Sequence, residues 1–102
     1  MEDKEIVIKA VEGYSFYTKP QRKLLKLLME LENDYVIKLS ILELSNISGI
    51  SRASIYRIIE IFKKDGILQL PPQSNTRLNT ITLVSKELEV IKTNYLKKIL
   101  LK

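Results

Sequence analysis

Two serines and two glycines divide the middle of the chain into two short helical segments. The first segment begins at Ser40, because Ser-Ile-Leu-Glu fits a capping box in which the hydroxyl and the carboxylate each satisfy a free backbone N–H. It extends only to about Asn46, since Gly49 follows and permits the positive φ that a tight turn between helices often requires. Ser51 caps the second segment, and Gly66 stands where a left-handed residue ends many helices. The spacing predicts two helices joined by a short turn.

The second segment, from about Arg52 to Asp65, carries one continuous apolar face. Its large apolar residues recur at the helical spacing and are Ile55, Ile58, Ile59 and Phe62. With that face buried, a rotation of about 100° per residue brings small and charged side chains to the opposite side. The side chains predicted to face solvent there are those of Ala53, Arg57, Glu60 and Lys64, with Ser54 and Tyr56 beside them.

The residues before this pair contain a further helical pattern and a short strand. Thr18 followed by Pro20 is typical of a helix start, because proline in the first turn lacks an N–H that would be unpaired anyway. A leucine stripe then predicts a helix over about 20–32, and the β-favouring residues 35–38 predict a very short strand. Residues 5–11 mix apolar and charged side chains and admit either a strand or a helix. The leucine stripe consists of Leu24, Leu25, Leu27, Leu28 and Leu31.

The residues after the pair predict a hairpin and a last helix. Residues 67–70 and 79–84 have the composition of strands, and the polar segment 71–77 between them predicts a protruding tip. Ser85 is a candidate cap for a helix over about 86–101. The apolar stripe of this helix is formed by Leu88, Ile91, Tyr95, Ile99 and Leu100.

The composition limits the chemistry that a chain of 102 residues can perform. It contains neither histidine nor cysteine, which excludes Cys/His zinc sites, Ser-His and Cys-His nucleophiles and haem ligation by these side chains. A domain of this size also has little room for a deep enclosed pocket. The acids Glu30, Glu32, Asp34 and Glu43 lack the spacing of metal ligands or of paired general acids, and are predicted to be surface and capping residues. We therefore expect no enzyme, no cofactor and no metal.

The charge distribution favours a polyanionic partner. Lys and Arg outnumber Asp and Glu by 17 to 12, which gives a net charge of +5 and a sequence pI near 9.5. The excess begins after the first seventeen residues, which are acidic overall. No stretch has the length of a membrane span, and the acidic start lacks the basic region of a signal peptide. The sequence predicts a cytoplasmic protein without a membrane partner.

The residues 39–68 resemble the helix-turn-helix of bacterial and archaeal winged regulators. The resemblance rests on the Gly-Ile-Ser turn, the Ser-x-x-Ser helix start, the Tyr-Arg pair and the terminal Asp-Gly-Ile-Leu. It identifies the winged helix-turn-helix superfamily and no family within it. It implies a mainly α fold with a small β-hairpin wing, in the α+β class, followed by a C-terminal amphipathic helix. We expect one domain over 1–102, with an N-terminal extension 1–17, a winged core 18–84 and a last helix 85–102.

The second helix of the pair carries the types of side chain that are needed to contact DNA in the major groove. Arginine bridges the O6 and N7 atoms of guanine, and serine and tyrosine hydroxyls reach phosphates or base edges. Ser51 caps the helix and lies where its dipole favours a phosphate. An ordinary solvated face is the alternative interpretation of this surface. The residues predicted to contact DNA are Ser51, Arg52, Ala53, Ser54, Tyr56, Arg57, Lys64 and, at the wing tip, Arg77.

These observations lead to two hypotheses of function. The first is a sequence-specific double-stranded DNA-binding protein, a transcriptional regulator or a plasmid or viral control factor. We expect it to act as a homodimer through the last helix, because two-fold pairing doubles the number of bases contacted. The alternative is that the last helix packs against the helix over about 20–32 of the same subunit. The second is a protein-interaction or assembly module that keeps the winged fold without binding DNA. The aromatic residues Tyr14, Phe16 and Tyr17 are predicted to belong to the core or to a subunit contact.

Overall fold

The computed structural model describes residues 1, 3–71 and 80–100 of the chain. These residues form five α-helices and three short β-strands. Arg77 and the predicted tip residues 72–76 lie outside the described residues. The elements in chain order are α1 (Lys4–Glu12), α2 (Lys19–Leu31), β1 (Val36–Ile37), α3 (Ile41–Ser48), α4 (Arg52–Lys64), β2 (Leu68–Gln69), β3 (Ile81–Leu83) and α5 (Ser85–Leu100).

The N-terminal segment, for which the sequence admitted a strand or a helix, is the helix α1. Its buried residues Val7, Ala10 and Val11 stand three and four positions apart, which places them on one side of a helix. This side packs against α2 and α5. The contact with α5 joins the two ends of the described chain.

Two of the predicted helix starts are complete capping boxes. Thr18 accepts a hydrogen bond from the N–H of Gln21, whose side chain accepts one from the N–H of Thr18. Ser40 and Glu43 make the same reciprocal pair, with distances of 3.1 and 3.0 Å. Each box satisfies two backbone donors that a helix start otherwise leaves free. The last helix differs slightly from its prediction, since it begins at Ser85 rather than after it.

The turn between α3 and α4 is held by hydrogen bonds of its own side chains. Helix α3 continues to Ser48, two residues beyond the predicted end at Asn46, because Gly49 adopts φ 74° and its N–H still bonds to the Ser45 carbonyl. Ser45 Oγ donates to the carbonyl of Ile50 at 2.7 Å, and the N–H of Ile50 donates to Ser48 Oγ at 3.1 Å. The chain therefore enters α4 in a defined direction.

Replacing Gly49 with alanine is expected to destabilise the protein by about 1 to 2 kcal/mol, because an L-residue is strained at positive φ. A Cβ atom at this position meets no atom within 4 Å, so the cost comes from the backbone alone. Urea unfolding followed by circular dichroism measures it. The control is Gly13→Ala, at φ −99° and without a close contact, which should change stability far less. Equal losses in the two variants would contradict the explanation.

The strands form one small antiparallel sheet with the order β1-β3-β2. Ile37 pairs with Ile81 and Leu68 pairs with Leu83, and all four side chains are buried. The strands are shorter than predicted. Near β1 the cause is a turn in which Tyr35 has φ 69°, which extended backbone does not permit.

This order of elements confirms the fold that the resemblance implied. Helices α1 and α2, strand β1, the α3–α4 pair, the β2–β3 hairpin and α5 make a winged helix-turn-helix with a C-terminal helix. It is mainly helical with a small sheet. None of the helices in the described residues is long and apolar enough to cross a lipid bilayer.

The buried core draws side chains from all five helices and from the sheet. The predicted apolar stripes of α2 and α5 are only partly buried. Leu31 is 37% exposed, and Ile99 and Leu100 on α5 are 47% and 80% exposed, whereas Leu88 and Ile91 are buried. Helix α1, with nine residues and a length of about 14 Å, is too short to cover the sixteen residues and about 24 Å of α5.

Glu32 was predicted to be a surface residue, and the structure corrects this. The residue is 9% exposed, and its carboxylate lies 2.7 Å from Lys4 Nζ and 3.2 Å from the amino group of Met1. The N–H of Tyr35 donates to it at 3.1 Å. Burial alone raises the pKa of Glu32, but the hydrogen bonds from Lys4, Tyr35 and the amino group outweigh it and lower the pKa. The carboxylate thus connects α1 to the end of α2.

Candidate nucleic-acid interface

Helix α4 turns its apolar face inward, as predicted. The four residues Ile55, Ile58, Ile59 and Phe62 are buried, with exposed fractions of 5% or less. The opposite side carries Arg52, Ala53, Tyr56 and Arg57, all of them exposed, with Tyr56 at 50%. The cationic side of α4 is therefore open to solvent at the level of the single chain.

The first turns of α4 join three predicted contact residues by hydrogen bonds. Ser51 caps the helix, since its Oγ accepts the N–H of Ser54 at 3.2 Å. Ser51 Oγ also donates to Ser54 Oγ at 3.0 Å. Arg57 Nη2 donates to the same Ser54 Oγ at 3.1 Å. The residue types were predicted from the sequence, but this connection between them was not.

The remaining predicted residues lie at different places along α4. Arg52 and Ala53 are in its first turn, and Ala53 presents only a methyl group, which permits close approach of a large ligand. Lys64 is the last residue of the helix, about 10 Å along the axis from Arg57. The structure thus groups Ser51, Arg52, Ala53, Ser54, Tyr56 and Arg57 at one end of α4 and separates Lys64 from them.

The electrostatics of α4 favour an anion. The helix contains four cationic residues and one acid, Glu60.

The carboxylate of Asp65, just after the helix, accepts a hydrogen bond from Tyr17 Oη at 2.7 Å. Burial first, and then this bond, raise the pKa of Tyr17 above its usual value, so the phenol stays protonated.

The aromatic residues near the N-terminus form the expected cluster. The ring of Tyr14 lies 5.4 Å from that of Phe16 and 5.1 Å from that of Tyr17, which in turn lies 5.1 Å from Phe62. Tyr17 and Phe62 are buried in the core, while Phe16 is 83% exposed. Phe16 borders a groove of about 410 Å³ between the end of α1 and α5, lined also by Tyr14, Ile91 and Tyr95.

Two solved structures share this fold. RV1404 from Mycobacterium tuberculosis matches with a TM-score of 0.56 and 14% identity, over 94% of this chain and 65% of that one. HlyU from Vibrio cholerae matches with a TM-score of 0.50 and 23% identity, over the full length of both chains. The chain thus spans about two thirds of the mycobacterial protein and all of the Vibrio protein. No protein-family model matches the sequence, and no curated protein matches it.

Proposed function

We propose that this protein binds double-stranded DNA with sequence specificity, as a homodimeric transcriptional regulator or a plasmid or viral control factor in the cytoplasm. One observation carries the proposal. Helix α4 buries its isoleucines and leaves Arg52, Tyr56 and Arg57 on an exposed face next to a tight helix-helix turn. A winged helix-turn-helix fold supports the same use of this helix.

The dimensions of α4 suit the DNA major groove. A helix with its side chains is about 10 to 12 Å wide, and the groove is about 12 Å wide. Arg57 then reaches the O6 and N7 atoms of a guanine, and the methyl group of Ala53 permits close approach. Arg52 and Tyr56 contact phosphates or base edges near the start of the helix, where the helix dipole behind the Ser51 cap also favours a phosphate. Lys64, farther along, contacts the phosphate backbone.

The dimer of this proposal uses α5 and the exposed aromatic residue beside it. Val90, Ile99 and Leu100 on α5 are 49%, 47% and 80% exposed, and Phe16 is exposed beside the groove along the same helix. Covering such apolar side chains with a second copy removes them from water. A two-fold dimer contacts two half-sites about 34 Å apart, so the preferred DNA is an inverted repeat.

Selection from random duplexes followed by titration tests the proposal. We expect enrichment of one inverted repeat. Arg57→Ala should weaken binding to the selected duplex by about 1 to 3 kcal/mol, roughly 5- to 150-fold, and relax the base preference. The matched control is Lys64→Ala on the same helix, which should weaken selected and random duplexes alike. Equal losses for Arg57→Ala on both duplexes would contradict its contact with bases.

A protein-interaction module is the second candidate function. The observation that favours it is the 83% exposure of Phe16 beside the groove of about 410 Å³, since exposed apolar patches mark contact surfaces. Such a module would bind no duplex even at low salt. Failure to enrich any duplex in the selection would therefore favour this candidate over the first.

A further inference from the structure

The start of α4 differs from the starts of α2 and α3 at one position. The third residue of those helices is Gln21 or Glu43, and its side chain accepts the N–H of the cap residue at 2.9 or 3.0 Å. The corresponding residue of α4 is Ser54, whose hydroxyl accepts hydrogen bonds from Ser51 Oγ and Arg57 Nη2 instead. The helix start proposed to meet DNA thus lacks the reciprocal bond that completes the other two.

A longer acidic side chain at this position would stabilise the helix. A glutamate there would complete the capping box after Ser51 and interact favourably with the positive end of the helix dipole. It would also place a negative charge one helical turn from Arg57 and pair with it. On the exposed face proposed to meet phosphates, such a charge opposes binding. Serine at position 54 leaves the cap by Ser51 in place and adds no negative charge to this face.

We propose that Ser54 is a positioning residue for Arg57, an inference that rests on the proposed DNA binding. Arginine has several rotatable bonds, and an exposed guanidinium adopts many orientations. The hydrogen bond to Ser54 Oγ restrains the guanidinium of Arg57 beside the first turns of α4. It uses one of the two N–H groups of Nη2. The other Nη2 N–H, together with an N–H of Nη1 or Nε, still forms an edge of two donors for a base edge with two acceptors. The ordering of the side chain is then largely complete before DNA binds.

The second bond to Ser54 makes this restraint firmer. Ser51 Oγ donates to Ser54 Oγ at 3.0 Å while accepting the N–H of Ser54 at 3.2 Å. Both acceptor positions of the Ser54 hydroxyl oxygen are occupied, by Ser51 and by Arg57. The cap of the helix and the proposed base-contacting side chain are therefore linked through one atom.

A double-mutant cycle with Ser54→Ala and Arg57→Ala tests the positioning role. We expect Ser54→Ala to lower the ratio of the affinity for the selected duplex to that for random duplex by about three- to tenfold. The loss arises because binding must then order one long side chain that was free beforehand. Ser54→Ala should have no further effect when Arg57 is already alanine. Ser54→Thr, which keeps the hydroxyl, should restore most of the ratio. Nitrogen relaxation of Arg57 Nε in the DNA-free protein should show greater mobility in Ser54→Ala.

Ser54→Glu separates stability from binding. It should raise the urea midpoint by completing the capping box, and lower the affinity for both duplexes at least about tenfold. Additive losses in the double-mutant cycle, or unchanged Arg57 mobility in Ser54→Ala, would refute the positioning role while leaving DNA binding intact. Absence of any duplex binding by the unaltered protein would refute the proposed function and this inference together.

Discussion

Raising the salt concentration from 50 to 200 mM is expected to weaken duplex binding about a thousandfold. A dimer that neutralises about six phosphates releases their condensed counterions, which gives a log-log slope near −5. The exposed cations at the two ends of α4, Arg52 and Lys63 with Lys64, are suited to such contacts. Fluorescence anisotropy of a labelled duplex, titrated at four or more salt concentrations, measures the slope.

Two variants of α4 in the same titration test whether the salt dependence comes from phosphate contacts. Lys64→Ala should make the slope shallower by about one unit for each phosphate contact removed. Glu60→Gln, also exposed on α4, removes an acid and should not make the slope shallower. A slope close to zero for the unaltered protein would contradict phosphate contact by α4 altogether.

The parts of the fold that depend on neighbouring residues were predictable from the sequence. The hydroxyls of Ser40 and Ser51 cap the helices that they were predicted to cap. Gly49 has the positive φ expected of the turn. Each depends on a few residues in succession, because a cap or a turn bonds within its own segment. The inward face of α4 follows as directly from its apolar periodicity.

The parts that depend on distant contacts were not predictable. Residues 5–11 form a helix whose buried side packs on α5 from the other end of the chain, a contact that local pattern does not contain. Glu32 is buried because Lys4 and Tyr35 supply its partners. No spacing in the sequence distinguishes this carboxylate from an exposed one.

The candidate site also has one feature that the sequence predicted and one that it did not. Periodicity placed Arg57 on the open face of α4, because burial of the isoleucines determines the opposite side. The hydrogen bond from Arg57 to Ser54 depends on the rotamers of two exposed side chains, which periodicity does not specify. The side that faces solvent was thus predictable, whereas the orientation of the side chain on it was not.

Replacing Phe62 with alanine is expected to destabilise the protein by about 3 to 5 kcal/mol. Phe62 is fully buried on α4, and its ring lies 5.1 Å from that of Tyr17. Alanine removes the ring and leaves a cavity that the aromatic neighbours fill only in part. Small domains are stable by only about 5 to 15 kcal/mol, so this one change removes a large share of the total. Urea unfolding followed by circular dichroism measures it.

Two further variants show that the loss comes from the buried ring. Ile61→Ala, on the same helix but with 37% of the side chain exposed, should cost under about 1.5 kcal/mol. Tyr17→Phe keeps the ring against Phe62 and removes only the hydrogen bond to Asp65, which should cost about 1 to 2 kcal/mol. Because Phe62 lies on the side of α4 opposite Arg57, the folded fraction of Phe62→Ala should keep its preference for the selected duplex. If the folded Phe62→Ala protein lost this preference, the packing of the buried side of α4 would also determine how its exposed side contacts DNA.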